Sequence, residues 1–552
     1  MTQPLRYKLL LEELRKAFPQ PVSDPIHDAY FVYSISSALN KVDALKSQVP
    51  ILGKPAESLS QEFERATERR VPEQATSSKE VIERLVKYLE GMIVFGHPRS
   101  QVNVIGVSSI PSIVGAMLPT LYNPNLVWDE NSQRLALAEL EVTAMASALV
   151  GYDPGTAGGV FTFGGTGTEL YAIRIGLEKA LPGSMKEGVR EDAVIFASRQ
   201  SHYCKSSIAS WLGLGSKNVV AIPSGRDNAI RMDLLEPAAR KHVEAGGKIA
   251  GFVSTMGTTD AFGLDDLEAI VALRDALVRD YHLAYRPHVH ADAVIGWAWS
   301  VFNDYDFEGN PLGFRPRTVR ALSGASRRIS KLALADSLGI DFHKTGFCPY
   351  ISSLFLSRDR QDLNLLSREP SLMPYLYQFG SYKPGIFTLE TSRSGCGPMA
   401  ALGSLELLGK EGFRALLGHL VEMAEALREH LEGHSATTVL NGENFGTVTL
   451  FRAYPDGVDT WTIVEKERSD PSFREKLLAH NEYNRQIYRH VHEEAMAGRG
   501  VMISLTENYR HTEYGEPMVA LKSFITSPFV NEEGIELVVR NVLEAREKIA
   551  RQ

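Results

Sequence analysis

Four short stretches of the 552-residue chain place reactive or anion-binding side chains directly after apolar runs. The first, Phe163-Gly164-Gly165-Thr166-Gly167-Thr168-Glu169-Leu170, precedes a helical pattern over Tyr171–Lys179. Glycines admit an anion to the backbone amides, threonine hydroxyls donate to it, and a helix N-terminus favours negative charge, so the stretch suits a phosphate. No Gly-Lys-Ser/Thr follows, and the glycine spacing departs from the dinucleotide fingerprint, with Asp192 a poor ribose partner. Taken alone, it is equally a tight turn before a helix. In the second, Ser201-His202-Tyr203-Cys204-Lys205, the histidine can stack on a flat ring, act as a base, or simply bond to backbone. The third is His288-Val289-His290-Ala291-Asp292-Ala293. Its two histidines share a face at metal-ligand spacing, but no third ligand stands at a suitable distance, and no metal is expected. Asp292 ends an apolar run, where a carboxylate needs a cation. The fourth runs from Asp336 to Gly346 and holds Asp336-Ser337 and His343-Lys344. A lysine there is costly to bury as an ammonium. Capture of an aldehyde removes that cost, and a structural ion pair is the plain alternative.

These residues need elements to hold them. Between about 100 and 395, short apolar runs (Ala193–Ala197, Val219–Ile222, Ile249–Ser254, His288–Ala291, Leu338–Phe342, Ser353–Leu356) alternate with amphipathic stretches. That texture predicts an α/β fold with a mostly parallel sheet, whose ligands gather at the carboxyl ends of the strands. The first hundred residues read as a helical segment: Leu5–Phe18, then Val81–Ile93 behind a capping box at Ser77-Ser78-Lys79-Glu80, with Gln48–Thr76 an irregular surface connection. Residues 396–552 read as a smaller α+β domain, with helices Pro398–Leu408, Phe413–Glu432 and Asn531–Ala550 around strands Thr447–Arg452 and Val519–Ile525. His490, His492, Glu493 and Glu494 within Arg485–Ala497 read as a solvated helix face. With 44% hydrophobic and 23% charged residues, the composition is that of a globular protein rather than a disordered or fibrous one. Three cysteines cannot staple such a chain, and a formal charge of −8 offers no attraction to nucleic acid or anionic membrane. The longest apolar run, Ala293–Phe302, is half a membrane span. The N-terminus lacks the uninterrupted apolar core of a signal peptide, so a cytoplasmic location is expected.

Together the four stretches suit one cofactor. Pyridoxal 5'-phosphate needs a phosphate cradle, a ring-stacking group, a carboxylate for the pyridine nitrogen and a lysine for the aldehyde. On these motifs the chain resembles the group II pyridoxal-phosphate-dependent amino-acid decarboxylases, which include glutamate, aromatic amino-acid and tyrosine decarboxylases. The likeness is good over about 90–400 and weak beyond. It rests on Gly164-Gly165-Thr166, Ser201-His202-Tyr203, Met256-Gly257-Thr258-Thr259 with Gly263, His290-Ala291-Asp292-Ala293, and Asp336-Ser337 followed by His343-Lys344. His97-Pro98-Arg99, Asn123-Pro124-Asn125 and Glu139-Leu140-Glu141 look like the family's approach to the site. Three positions depart: Gly167 where Glu or Ser is common, Val294 where Ala packs on the ring, and Lys522 (in Ala520-Leu521-Lys522-Ser523-Phe524) where Arg often holds the substrate carboxylate. Lysine is a point charge, not a bidentate fork.

The resemblance implies a type I aminotransferase-like fold: a large domain over 101–395 with a seven-stranded, mostly parallel sheet, a helical segment over 1–100 and a small domain over 396–552. It implies decarboxylation of an L-amino acid, aromatic (tyrosine-like) or acidic. Lys344 would be the Schiff-base lysine and His202 the stacking residue, with Asp292 on the ring nitrogen. Gly165, Thr166, Gly167, Thr258 and His343 would complete the cofactor site. Tyr375 is favoured over Tyr377 and Tyr382 as the proton-delivering loop residue, and Lys522 and Asn125 are candidate substrate contacts. The likeness to bacterial tyrosine decarboxylases is strongest around Asp341–Tyr350 and Leu389–Gly395. A homodimer with the site at its interface is implied, Thr391–Gly395 reaching the neighbour's cofactor. A carbon–carbon lyase, a decarboxylating aldehyde synthase and a non-catalytic homologue are the alternatives; the last predicts loss of a cofactor residue, and none of Lys344, Asp292 or His202 is lost.

Overall fold

The computed structural model describes residues 6–55, 59–190, 193–374, 376 and 379–551. Seven strands form its central sheet: β1 (Gly158–Thr162), β2 (Ala193–Ser198), β3 (Val219–Ile222), β4 (Lys248–Thr255), β5 (His288–Asp292), β6 (Ser337–Asp341) and β7 (Ser353–Ser357). They lie in the order β1-β7-β6-β5-β4-β2-β3. β7 runs antiparallel to both its neighbours, and all other pairings are parallel. Every residue of β2, β5, β6 and β7 is buried, which explains why these strands read as continuous apolar runs rather than alternating ones. β1, which sequence reading did not pick out, begins Gly-Gly and so lacks the β-branched signal. Helices Gly165–Ala180, Met232–Glu244, Leu267–Asp280 and Pro316–Ile329 connect strands of the sheet.

A second sheet runs Ser100–Gln101, Met502–His511, Pro517–Phe524, Val448–Ala453, Thr437–Val439. Its first strand, at the expected end of the N-terminal segment, pairs in parallel with Met502 and Ile503. Helix Cys396–Glu432 spans the two helices expected there, with a break at Gly409 (φ 52°). Asn531 caps the last helix, Glu532–Ala550, through its side chain. In the N-terminal segment, Ser77 caps helix Ser78–Lys87, which stops short of the expected Ile93. Two further helices were not expected there, Pro25–Asp43 and Leu59–Thr67. The second lies inside the supposed irregular connection, because its Leu59, Phe63 and Ala66 recur at helical spacing among charges. Among the described residues no helix is long and apolar enough to cross a membrane, and all three cysteines are free.

Candidate active site

The carboxyl ends of β1, β2, β4, β5 and β6 converge on a cavity of about 240 Å³. β1 delivers Phe163 to Thr166, β2 leads to His202 and Cys204, β4 to Gly257–Thr259, β5 ends in Asp292, and β6 ends in Asp341 just before His343 and Lys344; all of these line the cavity.

The phosphate-type cradle is the start of helix Gly165–Ala180. The Gly167 and Thr168 amides fold back onto the Gly164 carbonyl at 2.8 and 3.3 Å, which leaves the Gly165 and Thr166 amides as the orphan donors of the first turn. Gly164, Gly165 and Thr166 line the cavity and Gly167 does not; a Cβ on Gly167 would stand 1.7 Å from the Thr162 hydroxyl oxygen. Gly167 is therefore a packing residue, which corrects its expected place in the cradle. Gly165 is tight for another reason, since a Cβ there would meet Asp341 Oδ2 at 2.9 Å.

Lys344 Nζ sits 2.9 Å from Asp341 Oδ2, its side chain 15% exposed and that of Asp341 1%. Burial favours the neutral amine, but the carboxylates of Asp341 and Asp292 outweigh it and hold Lys344 above its ordinary pKa. Burial pushes the Asp292 carboxyl up against the pull of Lys344 and His202, and the Val294 amide hydrogen-bonds to it. A ring cation would complete that pairing. His202 accepts the Cys204 amide on Nδ1 at 3.2 Å and stacks on Tyr203, ring centroids 4.3 Å apart; burial lowers its pKa. His343 Nδ1 lies 3.2 Å from the Ser352 amide, and its ring meets Tyr350 at 3.9 Å. Thr258 closes its turn by accepting the Gly263 amide at 2.8 Å. Free amides at a helix start, a buried carboxylate opposite an imidazole, and a buried lysine all face one cavity, a donor set that fits a phosphorylated pyridine aldehyde.

Other motif residues serve the scaffold. Asp336 accepts the Val289 amide (2.9 Å), Arg274 (2.8 Å) and Arg358 (2.9 Å), and the Ser337 hydroxyl meets His288 Nε2 and His290 Nδ1, both at 2.8 Å. The two histidines thus share a face and a hydroxyl. Lys522 Nζ donates to Asp260 Oδ1 at 2.7 Å and does not line the cavity. Nor does Asn125, whose side chain bonds to Ser392 and to the Val127 and Arg393 amides. Tyr375 and Tyr377 lie outside the described residues; Tyr382 is tied to Glu139 at 3.4 Å. Arg393, in the segment expected to reach a neighbour, is buried within its own chain against Glu139 and the Leu126 and Phe161 carbonyls.

Two carboxylates of the cavity, Asp341 and Glu169, carry no role in the sequence motifs. Asp341 falls within the apolar run Leu338–Phe342 and reads there as strand. Glu169, 1% exposed, accepts the Cys204 thiol at 2.5 Å on Oε2 while Oε1 has no partner. Burial, with the Asp292 charge, pushes Glu169 up to about 7. Its position one helical turn after Gly165, among apolar residues, was the available signal.

The "Pyridoxal-dependent decarboxylase conserved domain" model matches residues 61–453. An L-2,4-diaminobutyrate decarboxylase of Acinetobacter baumannii is 24% identical over 423 residues, covering 73% of this chain and 76% of that protein. An aspartate 1-decarboxylase of Aliivibrio fischeri is 22% identical over 579 residues, covering 98% and 94%. The crystal structure of Oryza sativa TDC with PLP and tryptamine superposes with a TM-score of 0.75 at 16% identity, covering 96% of this chain and 99% of that one. The chain belongs to the pyridoxal-dependent decarboxylase family. It is a pyridoxal-phosphate-dependent amino-acid decarboxylase with a type I fold.

Proposed function

We propose that the protein decarboxylates an aromatic L-amino acid, with Lys344 as the lysine that captures the cofactor. The observation that carries the second part is the buried Lys344 ammonium, 2.9 Å from Asp341, in the same cavity as Asp292 and His202. When bound, pyridoxal phosphate supplies an aldehyde for amines and a ring that accepts the electron pair freed as the carboxylate leaves. The Gly165 and Thr166 amides would hold the phosphate with Thr258 and His343 beside them, Asp292 would keep a proton on the ring nitrogen, and His202 would stack on the ring. Val294, bulkier than alanine, also lines the cavity and would narrow the space for the ring. Phe163, Tyr350 and Ile351 form the exposed part of the cavity wall, and Lys344 is the one lysine or arginine of the whole lining among the described residues. Lys522 is already paired with Asp260. An acidic side chain would meet no free cation in this wall, whereas an aromatic one finds apolar contact; the aromatic reading is preferred on that ground. In Lys344→Ala the visible absorption of lysine-bound cofactor disappears and carbon dioxide release falls to background; an unchanged band overturns the assignment. A panel of L-amino acids scored for carbon dioxide and amine checks the substrate, and aldehyde with ammonia would instead mark an aldehyde synthase.

The active form is read as a homodimer. Helices Arg6–Arg15 and Pro25–Asp43 have no buried residue, and Leu9, Leu10, Val32 and Tyr33, with Ile110, Ile113 and Leu118 of helix Ile110–Thr120, are exposed. So much apolar surface calls for a second copy. Light scattering then gives twice the 61.0 kDa chain mass; a monomer mass refutes this.

A further inference from the structure

Asp341 carries more than one cation within reach. Its Oδ1 is taken by the Ser353 hydroxyl at 2.6 Å. Its Oδ2 faces Lys344 Nζ at 2.9 Å and His343 Nε2 at 3.5 Å, and it abuts the Gly165 backbone in the cradle. The carboxylate is buried, so whichever nitrogen leaves it must be replaced, because a lone buried charge is strongly destabilising.

We propose that Asp341 is a positioning residue that serves two cations in turn: Lys344 in the cofactor-free protein, and His343 once the lysine nitrogen has been drawn to the cofactor aldehyde. The step balances. Lys344 can attack only as the free amine, so its ammonium first gives one proton to His343, with Asp341 between them. The amine then forms a carbon–nitrogen double bond to the aldehyde carbon, and the aldehyde oxygen leaves as water with the two remaining amine protons. Total charge is unchanged; the cation has moved from Lys344 to His343, which lines the same cavity as the cradle that would hold the phosphate dianion.

The electrostatics of the cofactor-free site agree. Burial lowers His343, the Asp341 carboxylate raises it, and the Lys344 charge lowers it again. Removal of the lysine charge leaves burial as the one effect opposing Asp341 at His343. The remaining groups around this triad are Tyr350, whose ring meets His343, and, across the cavity, Asp292, His202 and Glu169; Lys344 acts on all four, and all four are retained in both variants compared below, so that the double variant isolates the effect of Asp341.

The inference rests on Lys344 as the cofactor lysine, and the test separates the two. The His343 ring resonance is followed through pH in histidine-labelled, cofactor-free protein, assigned by its loss in His343→Gln. In Lys344→Ala the midpoint should rise by about one unit, a tenfold gain in proton affinity. In Lys344→Ala/Asp341→Asn it should return toward the wild-type value. An unchanged midpoint in Lys344→Ala overturns the proposal; so does a rise that persists in the double variant. If the double variant does not fold, the wild type loaded with pyridoxal phosphate is the second measurement: a raised His343 midpoint supports the handover and an unmoved one refutes it. Retained visible absorption in Lys344→Ala would instead refute the lysine assignment.

Discussion

The Arg393–Glu139 pair gives the site its rear support, and its loss has a calculable cost. Arg393 is 8% exposed and Glu139 fully buried. The guanidinium engages both carboxylate oxygens, one of them at 3.0 Å, and also donates to the Leu126 (3.1 Å) and Phe161 (3.3 Å) carbonyls. Glu139 Oε1 in turn accepts the Phe161 amide at 2.9 Å, four residues before the cradle glycine Gly165. Arg393→Met leaves a buried carboxylate without its cation, which costs about 3–5 kcal/mol. Adding Glu139→Gln removes the stranded charge yet keeps an oxygen for the Phe161 amide. The Leu126 and Phe161 carbonyls lose their charged donor in both variants, so that cost, about 1–3 kcal/mol for each carbonyl left unsatisfied, cancels between them. The double variant is therefore expected to be more stable than Arg393→Met alone, by about 3 kcal/mol or more. Urea unfolding of the cofactor-free protein measures this as the order of midpoints: wild type, double variant, single variant. A double variant no more stable than the single one would refute the view that an uncompensated buried charge dominates. Since Phe161 leads into the cradle, Arg393→Met should also weaken pyridoxal phosphate binding, read by titration of the visible band.

Glu169 and Gly167 yield further tests. Glu169 is pushed from 4.5 to about 7 by burial, then by Asp292. A carboxyl raised in the folded state contributes stability that is complete below its unfolded pKa and is lost as pH rises through the folded one. Between pH 4.5 and about 7 the cofactor-free wild type should therefore lose stability, while Glu169→Gln shows a flatter melting-temperature profile across that window. Equal slopes would refute a protonated Glu169. Gly167→Ala should weaken pyridoxal phosphate binding about tenfold or more, through displacement of the helix start by Thr162, a cost of about 1–3 kcal/mol for overpacking. Adding Thr162→Ala should restore part of the affinity, and a variant with unaltered affinity would show that the clash is absorbed elsewhere.

The strand positions were legible because a doubly covered parallel sheet demands unbroken apolar residues: Val219–Ile222 coincides with its strand, and five other runs match within a residue at each end. β1 escaped because its two glycines carry no strand signal, and their reason is tertiary: a Cβ on Gly159 would collide with Thr143. Helix Leu59–Thr67 was missed because proline and polar residues around it masked a short amphipathic period. For the site, residue type and order were enough to propose a cradle, a stacking histidine, a carboxylate and a lysine, and the fold brings all of them to one cavity, since each chemistry admits few residue types and each residue follows a strand end.

What sequence could not assign was which neighbours each of these residues faces. Gly167 and Gly165 look alike in a motif, yet one packs on Thr162 and the other on Asp341. Lys522 and Lys344 are both lysines near strand ends, but Asp260 claims the first, while the second shares its cavity with Asp292 and His202. Asp336 and Asp341 flank one strand; the first braces arginines at its start, and the second faces the cavity at its end. By itself the sequence determined the chemistry on offer and the strands that carry it, because side-chain type and apolar periodicity are local properties. The partner of each charge was decided only in three dimensions, because electrostatic and steric effects act over a few ångströms between residues as distant in the chain as 139 and 393.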